Sequence, residues 1–329
     1  MRLLVLGGTR FLGRHLVAQA LERGHTLTLL HRGRSGAALF PEAEHRIADR
    51  NGELGALDGG EWDAVVDTCA FVPRQVRSAA GRLRGRVGRY LLVSSISVYA
   101  GFARPGPDED AALATLPDPT TETVDGNTYG GLKALCEAAL FDTLPGQALV
   151  ARPGLIVGPH DPTGRFTWWL TRIARGGDVL APGDPAAPVQ FIDARDAAAW
   201  LLRQAETGMT GVYNLAGPAQ PLTMGACLQA MVQVLQPQAH LHWLPEAFLL
   251  ERGVAPWTEL PLWVPAAEDG LHETVIAKAL ATGLQCRPLV QTIADTAAWA
   301  RANDGPHKDI GLAPEREAEL LAAWRTAPG

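Results

Sequence analysis

The sequence predicts an α/β protein: a parallel sheet covered by helices on both faces, with a smaller, helix-rich C-terminal lobe. Three observations carry that expectation. Strand-like and helix-like segments alternate through the first half of the chain. The strand-like segments are apolar on successive positions, as strands buried on both faces require. The chain also opens on RLLVLGGTRFLG, a strand running into a glycine turn and a helix start.

In order, RLLVLG reads as the first strand and FLGRHLVAQALERG as the helix behind it. HTLTLLHR and HRIAD give a second strand and a short third one, and DAVVDTC a fourth. PRQVRSAAGRLRGR follows as a helix and RYLLVSS as a strand, before the Pro- and acid-rich loop GPDEDAALATLPDPTTETVDG. NTYGGLKALCEAALFDTL is a helix and QALVARPG a strand. After Gly154 the rhythm breaks, and LIVGPHDPTGRFTWWLTRIARGG reads as a loop entering a helix. PVQFIDARDAAAWLLRQA and GVYNLAG read as a strand, a helix and a last strand returning to the sheet. The rest is helix-rich, with aromatic and proline interruptions around WLPEAFLLERGVAPWTELPLWVP. Residues 1–154 and 188–217 are thus expected to form a doubly wound, Rossmann-like nucleotide-binding body, and residues 155–187 and 218–329 a substrate-binding lobe.

Bulk properties bound the function. A chain of 329 residues, 47% hydrophobic, buries a substantial core. Its net charge of −6 argues against a surface that neutralises nucleic-acid backbones. Cys69, Cys136, Cys227 and Cys286 form no CxxC pair, which favours reduced thiols over a disulfide framework, and no His/Cys/Asp cluster has metal-ligand spacing. With a first strand at residue 2 and no apolar run of membrane-spanning length, a cytoplasmic protein acting on a small molecule is expected.

The opening turn is where a dinucleotide would sit. Gly7 permits the tight turn and Gly13 lets the helix pack on the strand, so Gly7, Thr9, Arg10, Phe11, Leu12 and Gly13 are the candidate pyrophosphate loop. Helix N-terminal N–H groups and the dipole then favour the anion. Arg10 stands where a middle glycine is usual. At the end of the second strand, LLHRGRS places His31, Arg32 and Arg34 where an NAD enzyme carries an acid for the ribose 2′-OH. Arg32, with Arg10, is read as a grip on a 2′-phosphate, so NADP(H) is favoured over NAD(H); solvated surface arginines are the competing reading. Asp49, ending the third strand, is a candidate for the adenine amino group or simply a turn residue.

NTYGGLK places Tyr129 and Lys133 four apart on one helix face. An ammonium beside a phenol lowers the phenol's pKa toward the working range of an acid–base catalyst. A hydroxyl at the end of the preceding strand completes the set: Ser95 in LLVSSISVYAG, with Ser94 and Ser97 competing.

Taken in order, the glycine turn, SSISVY and YGGLK resemble the extended short-chain dehydrogenase/reductase superfamily, and within it the NAD-dependent epimerase/dehydratase family, over roughly residues 1 to 217. The resemblance implies Ser95, Tyr129 and Lys133 as catalytic triad, with Lys133 on the nicotinamide ribose. It also implies Ala70, Phe71 and Pro153 to Leu155 as the nicotinamide pocket, and a homodimer through the YxxxK helix and its predecessor. Hydride transfer at a carbinol or carbonyl carbon of a small polar, sugar-like substrate follows, by reduction or epimerisation. Departures narrow it. Ile96-Ser97 replaces the Asp-Glu pair of 4,6-dehydratases, which counts against that activity. The diphosphate-binding Asn after the sixth strand is missing, and Val189 stands where epimerases carry an arginine. GGTRFLG is similar to atypical members, including a plant chloroplast group that binds RNA, so a nucleotide-sensing or RNA-binding protein without turnover is the alternative.

For the substrate, His160 and Arg165 in GPHDPTGRFTWWLTR are candidates, with Asp161 a polar contact and Trp168 or Trp169 as a stacking surface set against a plain core role. Asp193, Arg195 and Asp196 read as an ion pair or helix cap. APEREAELLAAWR reads as a solvated helix over the lobe.

Overall fold

A computed structural model of the chain describes residues 1–236, 238–303 and 310–326. Its body is built from β1 (Arg2–Leu6), α1 (Phe11–Glu22), β2 (Thr26–His31), β3 (Glu44–Ile47), β4 (Ala64–Asp67), α2 (Pro73–Leu83), β5 (Tyr90–Val93), α3 (Tyr129–Thr143) and β6 (Ala148–Pro153). Next come β7 (Leu155–Val157), α4 (Arg165–Ala174), β8 (Gly177–Pro182), β9 (Phe191–Asp193), α5 (Ala194–Thr207) and β10 (Gly211–Leu215). The chain closes with α6 (Met224–Leu235), β11 (Ala239–Leu244), α7 (Glu246–Glu251), α8 (Ala277–Ala281), α9 (Leu289–Ala302) and α10 (Pro314–Thr326).

Seven strands form one parallel sheet in the order β10-β6-β5-β4-β1-β2-β3. The doubly wound class anticipated from the alternation is the one observed. Strand periodicity explains how both faces are filled: Leu3 and Val5 point to the side of α1 and α5, Leu4 and Leu6 to the side of α2 and α3. The order reverses between β1 and β4, so the crevice beyond their C-terminal ends is the ligand position of this topology. Gly7 follows β1, Ala70 follows β4, Ser95 follows β5, and Leu155 follows β6. All therefore lie along that one edge.

The lobe differs from the sequence reading in four places. Leu155 to Val157, expected as loop, is a strand paired in parallel with β9, so β9 does not join the main sheet. A second pair, β8 with β11, went unseen: GDVLAP does not alternate, and AHLHWL, which does, lies in a stretch whose surroundings read as helix-rich. The lobe has its own core, in which Phe166, Trp169, Leu180, Leu228 and Leu260 are almost fully buried. α8 instead packs on the body, where Ala279 joins the α1/α5 side. α10 is not simply a solvated helix. Its Glu317 is 4% exposed, paired with Arg172 at 2.5 Å and accepting from Leu180 N–H at 3.0 Å. No helix of the described residues is long and apolar enough to cross a membrane, and none of their four cysteines is bonded to another.

Candidate active site

α3 begins at Tyr129 because Asp125 locks the turn before it, accepting from Asn127 N–H at 2.8 Å and Thr128 N–H at 3.1 Å. The helix start lies directly on the turn after β5. A side chain at Gly130 would stand 2.1 Å from the Ser97 carbonyl oxygen, so only glycine allows that approach. Reading YGGLK as Tyr and Lys alone missed this; the adjacent glycine was the signal.

Ser95 caps a short 3₁₀ turn, Ile96–Val98, its hydroxyl accepting from Ser97 N–H at 3.1 Å and lying 3.0 Å from Ser97 Oγ. The Tyr129 phenol lies close enough to feel this hydroxyl, which opposes the rise of its pKa. Ser94 drops out of the competition: it is buried and donates to Glu137, which lies on α3 beyond Lys133. Lys133, 3% exposed, donates to the carbonyls of Ala70 at 2.8 Å and Val93 at 2.7 Å. One ammonium N–H remains unassigned among the described partners. The Phe71 ring lies 5.9 Å from Nζ and is 44% exposed.

The expected electrostatic relation within this set needs correcting. Burial pushes the Tyr129 phenol up from its ordinary value, opposed by the Ser95 hydroxyl, and Lys133 is not among the groups that lower it. Burial likewise pulls Lys133 down. With its charge committed to two carbonyls, the ammonium anchors the site more than it acidifies the phenol.

At the opening loop Gly7 and Gly8 take φ of 105° and 89°, conformations that side chains resist, and Phe11 follows at 36°. A Cβ on Gly7 would meet Thr68 Oγ1 at 2.3 Å, and one on Gly13 would meet Gly8 N at 2.7 Å. Both glycines therefore allow the close approach of the turn, the helix and the end of β4. Arg10 is the exposed cap of α1. The turn after β2 abuts the same loop, since a Cβ on Gly36 would lie 3.1 Å from the Thr9 carbonyl oxygen. Arg10, Arg32 and Arg34 thus share one exposed rim. Arg50 is instead buried against Asp67 through bonds of 2.6 and 2.8 Å. Asp49 is exposed and accepts from Asn51 N–H at 3.0 Å, the geometry of a turn residue. His31 is held away from ligand: its Nδ1 accepts from Gly33 N–H at 3.0 Å, so Nε2 donates to His45 Nδ1 at 2.8 Å.

His160 and Arg165 do not touch. His160, in a left-handed conformation at φ 70°, lies 5.7 Å from the His15 ring and 5.4 Å from Trp299. Burial, reinforced by the charge of Arg14, lowers its pKa to about 4. Arg165 lies over Trp257, 5.1 Å from the ring centroid. Trp168 and Trp169 are core, not stacking surfaces; Trp169 Nε1 donates to Pro261 O at 2.6 Å. Buried Asp161 is taken by Thr163, accepting from its N–H at 2.7 Å. Asp193 caps α5 and pairs with Arg195, while Asp196 pairs with Arg287 from the lobe.

Residues 63–216 match the model of the NAD dependent epimerase/dehydratase family. Over that segment the chain is similar to this family. Fold likeness extends further. The UDP-glucuronic acid 4-epimerase of Bacillus cereus, solved with NAD, aligns at a TM-score of 0.67 and 15% identity, covering 94% of this chain and 99% of its own. The UDP-glucose 4-epimerase of Thermotoga maritima, solved with UDP-glucose, gives 0.68 and 17%, covering 92% and 99%. The dTDP-glucose 4,6-dehydratase of Bacillus anthracis, solved with NAD, gives 0.65 and 14%, covering 97% and 99%. At these identities they speak for the fold. No curated protein matches the sequence.

Proposed function

We propose that the chain is an NAD(P)-dependent oxidoreductase or epimerase of the extended short-chain type. It would transfer hydride at a carbinol or carbonyl carbon of a small polar substrate, with NADP(H) favoured over NAD(H). One observation carries the reading: Ser95 beside the Tyr129 phenol, with Lys133 anchored one helical turn away at the edge of the sheet. The residues present suit a dinucleotide. Gly7 and Gly13 let β1, α1 and the turn after β4 close tightly at the start of α1, and Arg10, Arg32 and Arg34 have no ion-pair partner among the described residues. Gly7 to Gly13 would hold the pyrophosphate, Arg10 and Arg32 the 2′-phosphate, and Asp49 the adenine. Ala70, Phe71, Pro153 and Leu155 would line the nicotinamide. The cofactor supplies or accepts hydride when bound.

The chain's own residues handle the proton. Tyr129, protonated at neutral pH, donates to a developing alkoxide, or as phenolate takes a proton from a carbinol. Ser95 donates a second hydrogen bond to that oxygen, and Lys133 steers the cofactor ribose with its remaining N–H. Dehydration at C4–C6 is not part of the reading. Ile96 is 5% exposed and apolar, and Ser97 is a poor general acid, so that turn offers no acid–base pair.

The test is turnover of a panel of hydroxyl- and keto-bearing sugars and acids with NADPH or NADH. Tyr129→Phe is expected to lower kcat by about 10²–10⁴-fold without loss of cofactor binding. Unchanged turnover in that variant, with a substrate the parent protein converts, sinks the reading.

A further inference from the structure

Arg50, Arg152, Arg172, Arg195 and Arg287 each hold a carboxylate oxygen at 2.5 to 2.7 Å. Arg165 holds none. It is half-buried on the first turn of α4, and its Nε is sealed from solvent with no acceptor in reach. Its one aromatic support is Trp257, a non-glycine residue held at φ 65°. Asp161, whose charge it feels, is turned to Thr163. A guanidinium N–H stripped of water and left without an acceptor is costly unless something else pairs with it.

A second orphan lies in the same neighbourhood. Gln190 donates through Nε2 to Thr274 O at 3.0 Å, which fixes its amide and leaves Oε1 buried without a donor. Its N–H donates to His272 Nδ1 at 3.1 Å, and the His272 ring faces Trp257 at 6.3 Å. On the other side Phe191 packs on Phe166 at 5.1 Å, next to Arg165. The contacts therefore run in a row from Arg165 through Trp257 and His272 to Gln190. Phe191, the residue after Gln190, is registered opposite Leu155 in the β7–β9 pair, beside the proposed nicotinamide pocket.

We propose that this row of residues is the substrate receptor, and that the substrate is a hydroxylated compound carrying an anionic group, a carboxylate or a phosphate. Arg165 takes the anion, with the planar guanidinium held flat on Trp257 for a forked contact. Gln190 Oε1 accepts a hydrogen from a neighbouring hydroxyl. Val189, next to it, is 1% exposed in the lobe core and offers a diphosphate nothing, so the anion belongs on the reacting molecule rather than on a nucleotide carrier. The inference rests on the hydride-transfer reading for its reaction, but not for its binding.

The test is calorimetric binding to the NADP-saturated full chain, with D-gluconate, D-glucose 6-phosphate and neutral D-glucose as probes. At least one anionic probe is expected to bind at least tenfold more tightly than glucose, and the stronger of the two names the anion. Arg165→Gln should abolish that preference while NADPH affinity stays unchanged and thermal stability holds or rises, since an unpaired buried charge is removed. Arg165→Lys should recover only part of it. A purely structural arginine would instead lower Tm and leave the preference intact. Equal binding of glucose, no binding of either anion, or an unaltered preference in Arg165→Gln overturns the proposal. Should anions bind through Arg165 while Tyr129→Phe leaves turnover unchanged, the hydride reading fails and the receptor stands.

Discussion

Glu137 lies one helical turn beyond Lys133, 3% exposed, and receives Arg152 Nε at 3.1 and 3.2 Å and Nη2 at 2.7 Å. Arg152 Nη1 donates to the Tyr99 hydroxyl at 3.0 Å and the Glu109 carbonyl at 3.1 Å, and Tyr99 donates on to Asn214. This pair joins the helix bearing Tyr129 and Lys133 to β6, to the stretch after Ser95 and to the edge strand β10. Glu137→Gln keeps the shape and deletes the charge, leaving Arg152 buried without a counter-ion. Breaking one partner of a buried pair costs about 3–5 kcal/mol. In a chain this long each kcal/mol moves Tm by roughly 2 °C, so a fall of about 6–10 °C is expected in thermal unfolding followed by circular dichroism. Replacing Glu137 and Arg152 together by methionine should cost much less than the two single changes summed, because no charge is then stranded. A loss under about 1 kcal/mol for Glu137→Gln, or strict additivity in the double variant, refutes the reasoning.

Gly13→Ala gains about 1 kcal/mol in helix propensity but sets a methyl 2.7 Å from Gly8 N, a backbone atom that must shift. A lower Tm together with at least tenfold weaker NADPH binding by fluorescence titration is expected. Arg32→Ala should weaken NADPH by about 10- to 100-fold and leave NADH unaffected, a loss of roughly 1.5–3 kcal/mol for a charged hydrogen bond; equal loss for both cofactors would place the arginine elsewhere. His160 has a folded pKa of about 4, below the ordinary 6.5, so the unfolded chain binds more protons between those values. Stability should therefore fall as pH drops from 6.5 to about 4, and His160→Asn, which tolerates the left-handed backbone, should flatten that fall in denaturant titrations.

The body was legible because its signals are local. Each strand of the main sheet is a short apolar run bounded by turn residues, and the glycine turn and the YxxxK spacing lie within single elements. The proton-handling residues come from two such elements on one sheet edge, so order along the chain was enough to bring them together. The lobe resisted for the opposite reason. β8 and β11 are far apart in sequence, and APEREAELLAAWR hides Glu317, a charge that is buried only because Arg172 waits for it. Trp257 and Gln190 were invisible as a pair with Arg165, since 67 residues separate the two and no spacing rule spans a tertiary contact.

The same contrast explains why the local pairing of Tyr129 and Lys133 misled on electrostatics while succeeding on position. Four residues apart on a helix puts two side chains on one face, but what each does with its charge depends on everything packed against that face. Here the carbonyls of Ala70 and Val93 claim the ammonium, and burial lifts the phenol. Tyr129 therefore rests as the acid, which suits donation to a carbonyl oxygen in the reductive direction. Oxidation of an alcohol demands that the phenol first lose its proton, so it needs a further stabilising charge beside the phenol. On the proposed reading the two directions of one hydride transfer have different pH requirements, and the reductive one uses the phenol in the form it holds at neutral pH.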